Sequence, residues 1–524
     1  MIPTFHGLET ARRGLNTQQL ALYTTGHNIA NANTEGYTRQ RVEFSTTNPY
    51  PGTGFNRPGI PGQIGTGVTA GAVSRVRESF LDAQYRLENN KLGYYSLLSS
   101  SLSKMEDIMN EPTDSGFHSV LEKFWNALQD LSNNTENSGA REVVATSGQM
   151  LAETINYYYN SLTRIKTDLG NEINVKIRSI NSLVSQIDEL NRQIAAIEPH
   201  GQLANDLYDK RDLLVDELSG LVNIKVTSII PENYGNALPT AEGLYQIEIV
   251  KADGTSYSPQ ATLINVDRAS GRTAISEIAV FDEYGYSDTL RGNVAYVMVG
   301  DRKLTDLNFS GELAALIESY GYQTAGGIEG LYPEMLEKLN KLTYAFASEF
   351  NYIHQQGFDL KGEAGIPFFL FEEENPAATI RVHDEILADP AKIAAAGSPD
   401  GGSGDNENVK KLADIKSQDF TLYEYVKSGG TLPDGMNGSI DSYYSSIIGN
   451  LGVRAQSANR NMENTQVLVD SVENNRQSNS AVSLDEEMTH LIKYQHAYNA
   501  SARIITVLDE MLDRIINGMG TVGR

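Results

Sequence analysis

The chain of 524 residues contains no cysteine. That excludes disulfides, thiolate metal sites and a cysteine nucleophile, and it suits a protein that meets oxidising surroundings without disulfide staples. Long apolar runs are missing too: none approaches the roughly 20 residues of a membrane-spanning helix. Residues 1–31 lack the apolar block of about 7–15 residues and the cleavage pattern of a secretory signal. No cleavable signal peptide is expected, which by itself points to the cytoplasm. Positive charge is scarce, with 42 Lys and Arg against 67 Asp and Glu and a formal net charge of −25. Nucleic acid and anionic membrane are therefore disfavoured as partners.

The negative charge is unevenly placed. Residues 1–60 carry five arginines against three glutamates, and residues 484–524 carry four basic against six acidic side chains. The two ends cancel, so the whole net charge lies in residues 61–483. Neutral ends that tolerate crowding and an acidic middle that stays in water suit a subunit that assembles.

What the ends do contain is period. From Leu484 to Met519 there is no proline, and no glycine before Gly518. Leu484, Leu491, Tyr498, Ile505, Leu512 and Met519 recur every seven residues. Met488, Gln495, Ala502, Asp509 and Ile516 form a second row four residues on. Such spacing makes one stripe on a helix and, sustained, a coiled-coil seam. Gln495 and Asp509 interrupt the apolar row, either setting register or facing a lumen. Ser483 with Glu486 reads as a capping box, and Gly518, Gly520 and Gly523 end the helix. At the other terminus Leu8, Leu15, Leu22 and Ile29 are also seven apart, with Ala11 between. Six buried stripe residues cannot offset the ordering of about 40 residues. Each end therefore needs the other, and neighbouring copies, and both are expected to be loose before assembly.

Between the ends the period changes. Asn28, Asn31 and Asn33, followed by Gly36, stop the first helix. Residues 49–71 read as an extended connector; the Gly65-Thr66-Gly67 run lacks the strand-then-helix context of a phosphate loop. Helical patterns follow over 80–109, 120–131, 141–197 (with an interruption near Gly170) and 203–221. β-branched and aromatic content marks strands near 222–230, 245–250, 262–266 and 293–299. Helices return over 312–319, 331–354 and 441–470, and residues 397–408 read as a flexible loop. The fold class is mainly α with a β-rich inserted domain, the domains being nested. Residues 1–65 with 480–524 make a terminal coiled-coil domain. Residues 66–224 with 312–372 and 436–479 make a helical bundle. Residues 225–311 are the β-rich insert, and 373–435 a loop-rich, small additional α/β segment.

No catalytic, metal or cofactor constellation is expected. Glu487 and His490 have the spacing of one di-iron ligand pair, but no second pair exists, so they read as solvated helix residues. His200, His354 and His383 are isolated. Asp206, Asp209 and Asp212, with Lys210 and Arg211 among them, read as a salt-bridged surface. No serine lies in a nucleophile-elbow motif.

The series Gly7-Leu8, Ala11, Gly14-Leu15, Gln19 to Leu22 and Asn28-Ile29-Ala30-Asn31-Ala32-Asn33-Thr34-Glu35-Gly36-Tyr37 resembles the axial proteins of the bacterial flagellum, with Glu35 where proline is usual. Leu484 to Glu487, Leu491, Tyr494-Gln495, Tyr498 and Ala500 to Arg503 are similar to the same superfamily. In the middle, Ala204 to Asp212, the series Asn351, His354, Gly357 to Leu360 and Phe368-Phe369, then Asp389-Pro390 and Gly404 to Asn406, resemble its hook–filament junction subunits. The resemblance implies a structural subunit that forms a ring-like layer of copies. It implies contact with the hook protein and with a second junction protein on the filament side, an export chaperone, and type III export to the flagellum without a cleaved signal. On that point it overrides the cytoplasmic reading. The subunit-interface residues it and the heptads imply are Leu8, Leu15, Leu22, Ile29, Asn31, Gly36, Tyr37, Leu484, Leu491, Tyr498, Ile505 and Leu512. A sister hook or rod protein stays open. So does a secreted hydrolase on a flagellar scaffold, which would need its site within 225–310, a stretch with acids but no histidine.

Overall fold

The computed structural model describes residues 4–52, 59, 62–109, 116–285, 287–420 and 438–518. In chain order the elements are α1 (Thr4–Ala30), β1 (Gln40–Thr46), β2 (Val68–Arg75), α2 (Ser79–Met109), α3 (Phe117–Asn133), α4 (Ser138–Ile197) and α5 (Asn205–Leu221). Then come β3 (Ile224–Ile229), β4 (Leu244–Val250), β5 (Ser256–Val266), β6 (Thr273–Ile275), β7 (Ile278–Asp282), β8 (Val294–Val299) and β9 (Arg302–Leu304). They are followed by α6 (Glu312–Tyr320), β10 (Tyr322–Thr324), β11 (Gly327–Glu329), α7 (Leu331–Gln356), β12 (Phe369–Leu370), α8 (Pro376–Thr379), β13 (Arg381–Val382) and α9 (Asp384–Ala388). The chain closes with α10 (Glu407–Asp414), α11 (Ile440–Ser480) and α12 (Leu484–Gly518).

The spine is α4, 60 residues without a break, or about 90 Å at the α-helical rise. The expected interruption at Gly170 does not occur. Gly170 is buried, and a Cβ there would lie 2.9 Å from the Tyr320 ring. The glycine makes room for an aromatic of α6 instead of ending a helix. Apolar residues recur along α4 from Val144 through Leu151, Ile155, Leu162, Leu169, Ile173 and Ile180 to Ile187, all almost fully buried. Against this stripe pack α3, α5, α6 and α7.

The β region forms two sheets. One has order β3-β4-β5-β6; the other has order β11-β10-β8-β7, with β9 on β8. The second sheet therefore runs to Glu329, past the expected end of the insert at 311. Strands β6, β7 and β9–β13 are short and gave no readable period. A single apolar cluster runs from Leu102 through both sheets to Ala458. Its densest part is aromatic. Phe350 lies 5.4 Å from Phe124, 5.0 Å from Phe368 and 5.4 Å from Phe369, ring centre to ring centre. Residues 373–420 are part of this core and do not stand apart: Ile380, Ile386, Ile393, Val409, Leu412 and Phe420 belong to the same cluster. The loop expected to be flexible at 397–408 is pinned by Asp405, whose carboxylate accepts the N–H groups of Gly397, Ser398 and Glu407.

Outside this body, α1 and α12 pack along each other, and α1 also packs on β1 and β2. Strands β1 and β2 form an antiparallel hairpin from Gln40↔Arg75 to Thr46↔Val68. Of the connector expected at 49–71, residues 68–71 belong to strand β2 and Tyr50 bridges Ile64, while residues 53–58, 60 and 61 lie outside the described residues; the terminal unit continues to Arg75, beyond the expected boundary at 65. Met519, Gly520 and Gly523 lie outside the described residues.

Candidate assembly interface

The antiparallel register of α1 and α12 can be read from three close pairs. A Cβ on Gly7 would sit 3.4 Å from Leu508, and one on Gly14 would sit 3.2 Å from Ser501 Oγ. Asn28 Nδ2 donates to Glu487 Oε2 at 3.1 Å. Each step of seven along α1 matches a step of seven back along α12. The same step sets Ala21, almost wholly buried, opposite Tyr494. The row in the middle of the pair is therefore Gly7, Gly14, Ala21 and Asn28 against Glu487, Tyr494, Ser501 and Leu508. Small residues let the two backbones approach closely.

This corrects the expected seam by a fraction of a turn. Leu8, Leu15, Leu22 and Ile29, one residue on, flank the seam and stay half-exposed, as do Leu491, Tyr498, Ile505 and Leu512; Leu484 is exposed. The expected second row is off the seam: Met488, Gln495, Asp509 and Ile516 are exposed, and only Ala502 is half-buried. Gln495 and Asp509 therefore set no register between α1 and α12. Further apolar side chains stand open on α12, namely Ile492, Ile504, Val507, Met511 and Ile515, and on α1 Phe5 and Tyr23. The pair places the small residues of α1 at its middle and leaves many large apolar side chains of both helices open.

The turn after α1 is fixed by Asn28. Its Oδ1 accepts from the Gln40 N–H at 3.0 Å and from the Tyr37 hydroxyl at 2.8 Å, while its Nδ2 donates to the Gln40 carbonyl at 2.8 Å and to Glu487. All four hydrogen-bonding positions of a buried amide are used. Asn31 closes the helix end by donating to the His27 carbonyl at 3.0 Å. Gly36 has φ +75°, the left-handed region, and abuts Leu213 of α5. Burial, reinforced by the Asp206, Asp209 and Glu487 carboxylates, pushes the Tyr37 phenol far above its usual range. It stays a neutral donor.

Glu487 is 2% exposed, not solvated as its spacing with His490 suggested. Arg39 Nε pairs with it at 2.7 Å, and Arg39 reaches Glu486 at 2.7 Å through its other arm. The carboxylate expected to cap α12 thus bridges to the chain's other end. His490 stacks on Tyr494.

Where the terminal unit meets the body, the acids of α5 take a role their sequence did not show. Asp209 and Asp212 are buried, not surface-facing, and their partners are distant arginines. Arg75 reaches Asp209 at 2.6 Å and Asp212 at 2.9 Å, and it also pairs with Glu242. Arg77 binds Asp82 at 2.6 Å and Asp212 at 3.3 Å; Arg86 binds Asp216 at 2.7 Å and Asp212 at 3.2 Å. Arg476 of α11 reaches Asp216 at 2.5 Å and Glu473 at 2.9 Å. Arg211 turns inward to Glu242, with its guanidinium 3.5 Å from the Tyr245 ring centre. Burial would raise the Asp212 carboxyl, but Arg77, Arg75, Arg86 and Arg211 together hold it well below the usual range. For Asp209 burial wins over Arg75 and raises it. Sequence reasoning missed Arg39, Arg75, Arg86 and Arg476, read Glu487 as solvated, and saw Asn28 only as a helix stop and not as a contact to α12. For Asn28 a signal was available, since it continues the row of small residues at 7, 14 and 21.

His354, in the series shared with the junction subunits, is fully buried. Its Nδ1 lies 2.6 Å from the Ile366 carbonyl, and its Nε2 accepts the Ala394 N–H at 3.0 Å. Asn351 exchanges two hydrogen bonds with the Phe369 backbone. These residues staple the chain after α7 back onto the core. Among the described residues no group of His, Asp and Glu is arranged to hold a metal ion, and no helix is long and apolar enough to cross a membrane.

Two paired terminal helices with a half-covered apolar surface, set beside a body that holds its own apolar core, define the architecture. The comparisons place that architecture in a family. Residues 8–38 match the model of the flagella basal body rod protein, and residues 473–518 that of the flagellar basal body rod FlgEFG protein C-terminal region. Residues 102–369 match the flagellar hook-associated protein FlgK helical domain. Over the full length of both chains the sequence is 46% identical to flagellar hook-associated protein 1 of Bacillus subtilis. It is 24% identical to the Escherichia coli protein of that name, over 97% of this chain and 99% of the relative. The flagellar hook junction protein FlgK from Burkholderia pseudomallei shares the fold, with a TM-score of 0.55 at 14% identity, over 76% of this chain and 100% of that one. The chain belongs to the flagellar hook-associated protein 1 family.

Proposed function

We propose that the chain is a structural subunit of the flagellum, without catalytic activity, that joins hook to filament. Copies form a ring-like layer, each completing the half-exposed apolar surface of its neighbours' terminal helices. The layer contacts hook protein on one side and a second junction protein on the other. A chaperone keeps the terminal helices apart before type III export delivers the chain outside the cell without a cleaved signal. The observation that carries this reading is the arrangement of the terminal pair: α1 offers only glycine, alanine and asparagine to the middle row, and much of the leucine, isoleucine and methionine of both helices stands beside it in the open. A self-sufficient coiled coil places its large residues inside. The interface is assigned to Leu8, Leu15, Leu22, Ile29, Leu491, Tyr498, Ile505 and Leu512, with Asn31, Gly36 and Tyr37 holding the turn and Leu484 starting α12.

The test is Leu491→Asp or Ile505→Asp. Either change should leave the unfolding free energy of the isolated full-length chain within about 1 kcal/mol of wild type, because the site is half-exposed. Either should abolish filaments and motility when the variant replaces the wild-type chain in cells. Motile, filamented cells carrying such a variant would remove the terminal stripe from the assembly.

A further inference from the structure

We propose that Lys166 and Asn293 become joined by an isopeptide bond, an amide that the folded chain forms between two of its own side chains and that ties α4 to the second sheet. The inference goes beyond the junction reading and does not depend on it.

Lys166 is a half-buried lysine of α4. Among the described residues it forms no ion pair; its Nζ donates instead to Asn293 Oδ1 at 2.8 Å. Asn293 is 7% exposed and immediately precedes β8. Its Nδ2 has no hydrogen-bond partner among the described residues. The Tyr320 ring walls the site, its centre 5.2 Å from Nζ. The ring is held there by its hydroxyl, which donates to the Gly292 carbonyl at 2.8 Å. Glu283, the residue after β7, lies across the strand pair, and its N–H donates to the Asn293 carbonyl at 3.2 Å. Its carboxylate folds over Gly292, where a Cβ would come within 2.5 Å of Oε1. A lysine, an amide and a carboxylate therefore meet at one end of the β7–β8 pair, against an aromatic ring.

These are the three groups that amide exchange needs. Burial lowers the Lys166 ammonium below its usual range, against the opposing charge of Glu283, so more of it is free amine than in water. A desolvated amine is a nucleophile. The carbon it attacks, Asn293 Cγ, is one bond beyond the oxygen it already touches, and groups held in this way react as though at very high concentration. The Nζ–Cγ bond forms and the Cγ–Nδ2 bond breaks. Glu283 takes a proton from Nζ and returns one to Nδ2, which leaves as ammonia. Nothing is oxidised or reduced, and no co-reactant is consumed. In a chain without cysteine the bond supplies what a disulfide supplies elsewhere, a covalent link between residues 127 apart in sequence.

The test is the intact mass of the purified full-length chain, taken after folding and again after incubation. The wild type should end lighter than its sequence by the mass of one ammonia. Its proteolytic digest should contain one branched peptide that joins the segments around Lys166 and Asn293. Glu283→Gln, at an exposed position, should keep the fold and slow the conversion about 100-fold. Lys166→Arg should keep the full sequence mass. A wild-type chain that stays at full mass would overturn the proposal, and so would a loss of ammonia that persists in Lys166→Arg or comes without the branched peptide. Conversion at the wild-type rate in Glu283→Gln would remove Glu283 from the reaction. None of these readings depends on what the chain does in the flagellum.

Discussion

The body and the terminal pair obey the same helical period yet solve opposite problems. In α4 an apolar stripe from Val144 to Ile187 faces inward and is almost fully buried. Across α1 and α12 the middle row sets the small side of α1, Gly7, Gly14, Ala21 and Asn28, against Glu487, Tyr494, Ser501 and Leu508 of α12, and many other large apolar residues sit at the edges, half in water. The body holds its own core. The pair leaves most of its large apolar side chains at least half-exposed. Heptad spacing alone does not separate these cases; what separates them is which residues occupy the row between the helices.

The largest expected effect tests the body side. Phe350 has no exposed surface and lies among Phe124, Phe346, Phe368 and Phe369. Phe350→Ala should cost about 3–5 kcal/mol in a denaturant titration, from lost transfer energy plus a cavity. Tyr23→Ala, in α1 and 67% exposed, should stay within about 0.5 kcal/mol in the same isolated chain. Equal costs at the two sites would erase the distinction between the regions.

Next comes a pH effect confined to the body. Burial, more than the nearby Arg141, lowers the His354 imidazole to about 4, against about 6.5 when unfolded. The folded state disfavours the proton. His354 therefore contributes its full share of stability above about pH 6.5, and that share is lost as the pH falls toward 4, roughly 3 kcal/mol in all. Denaturation series across that window should show the slope in wild type and a shallower one in His354→Gln. Equal slopes would mean that the staple after α7 is already open to water.

The limits of the sequence follow from the same physics. Helix existence was legible wherever apolar period was strong, as in α2, α4 and α12. The rotation of the terminal seam was not. Gly7, Gly14 and Ala21 carry no hydrophobic signal, so the eye settles on Leu8, Leu15 and Leu22 one position away. Asp209 and Asp212 lie beside Lys210 and Arg211 in the chain, which suggested local pairing. Their actual partner Arg75 stands 134 and 137 residues away, and local patterns carry no information at that range. Gly170 read as a helix breaker because propensity sees only the backbone; the Tyr320 ring that requires a glycine there arrives from α6.

The smallest expected effect concerns the terminal pair in the free chain. Ile505 is half-exposed, so truncating it removes only part of the roughly 1.5–3 kcal/mol that full burial of such a side chain provides. Ile505→Ala should leave global stability of the isolated chain unchanged and raise amide exchange only locally, between Leu491 and Leu512. Already in wild type, those amides should exchange faster than the amides of Leu169 to Ile187 in α4. Exchange reports local opening, which ranges from near zero to the full unfolding free energy, and a pair with few fully buried apolar side chains opens at the low end. The measurement also bears on export, because helices that part at low cost reach an extended form without unfolding the body. Protection of residues 491–512 as strong as that of α4 would show that the pair is complete by itself. The exposed leucines and isoleucines would then need another explanation.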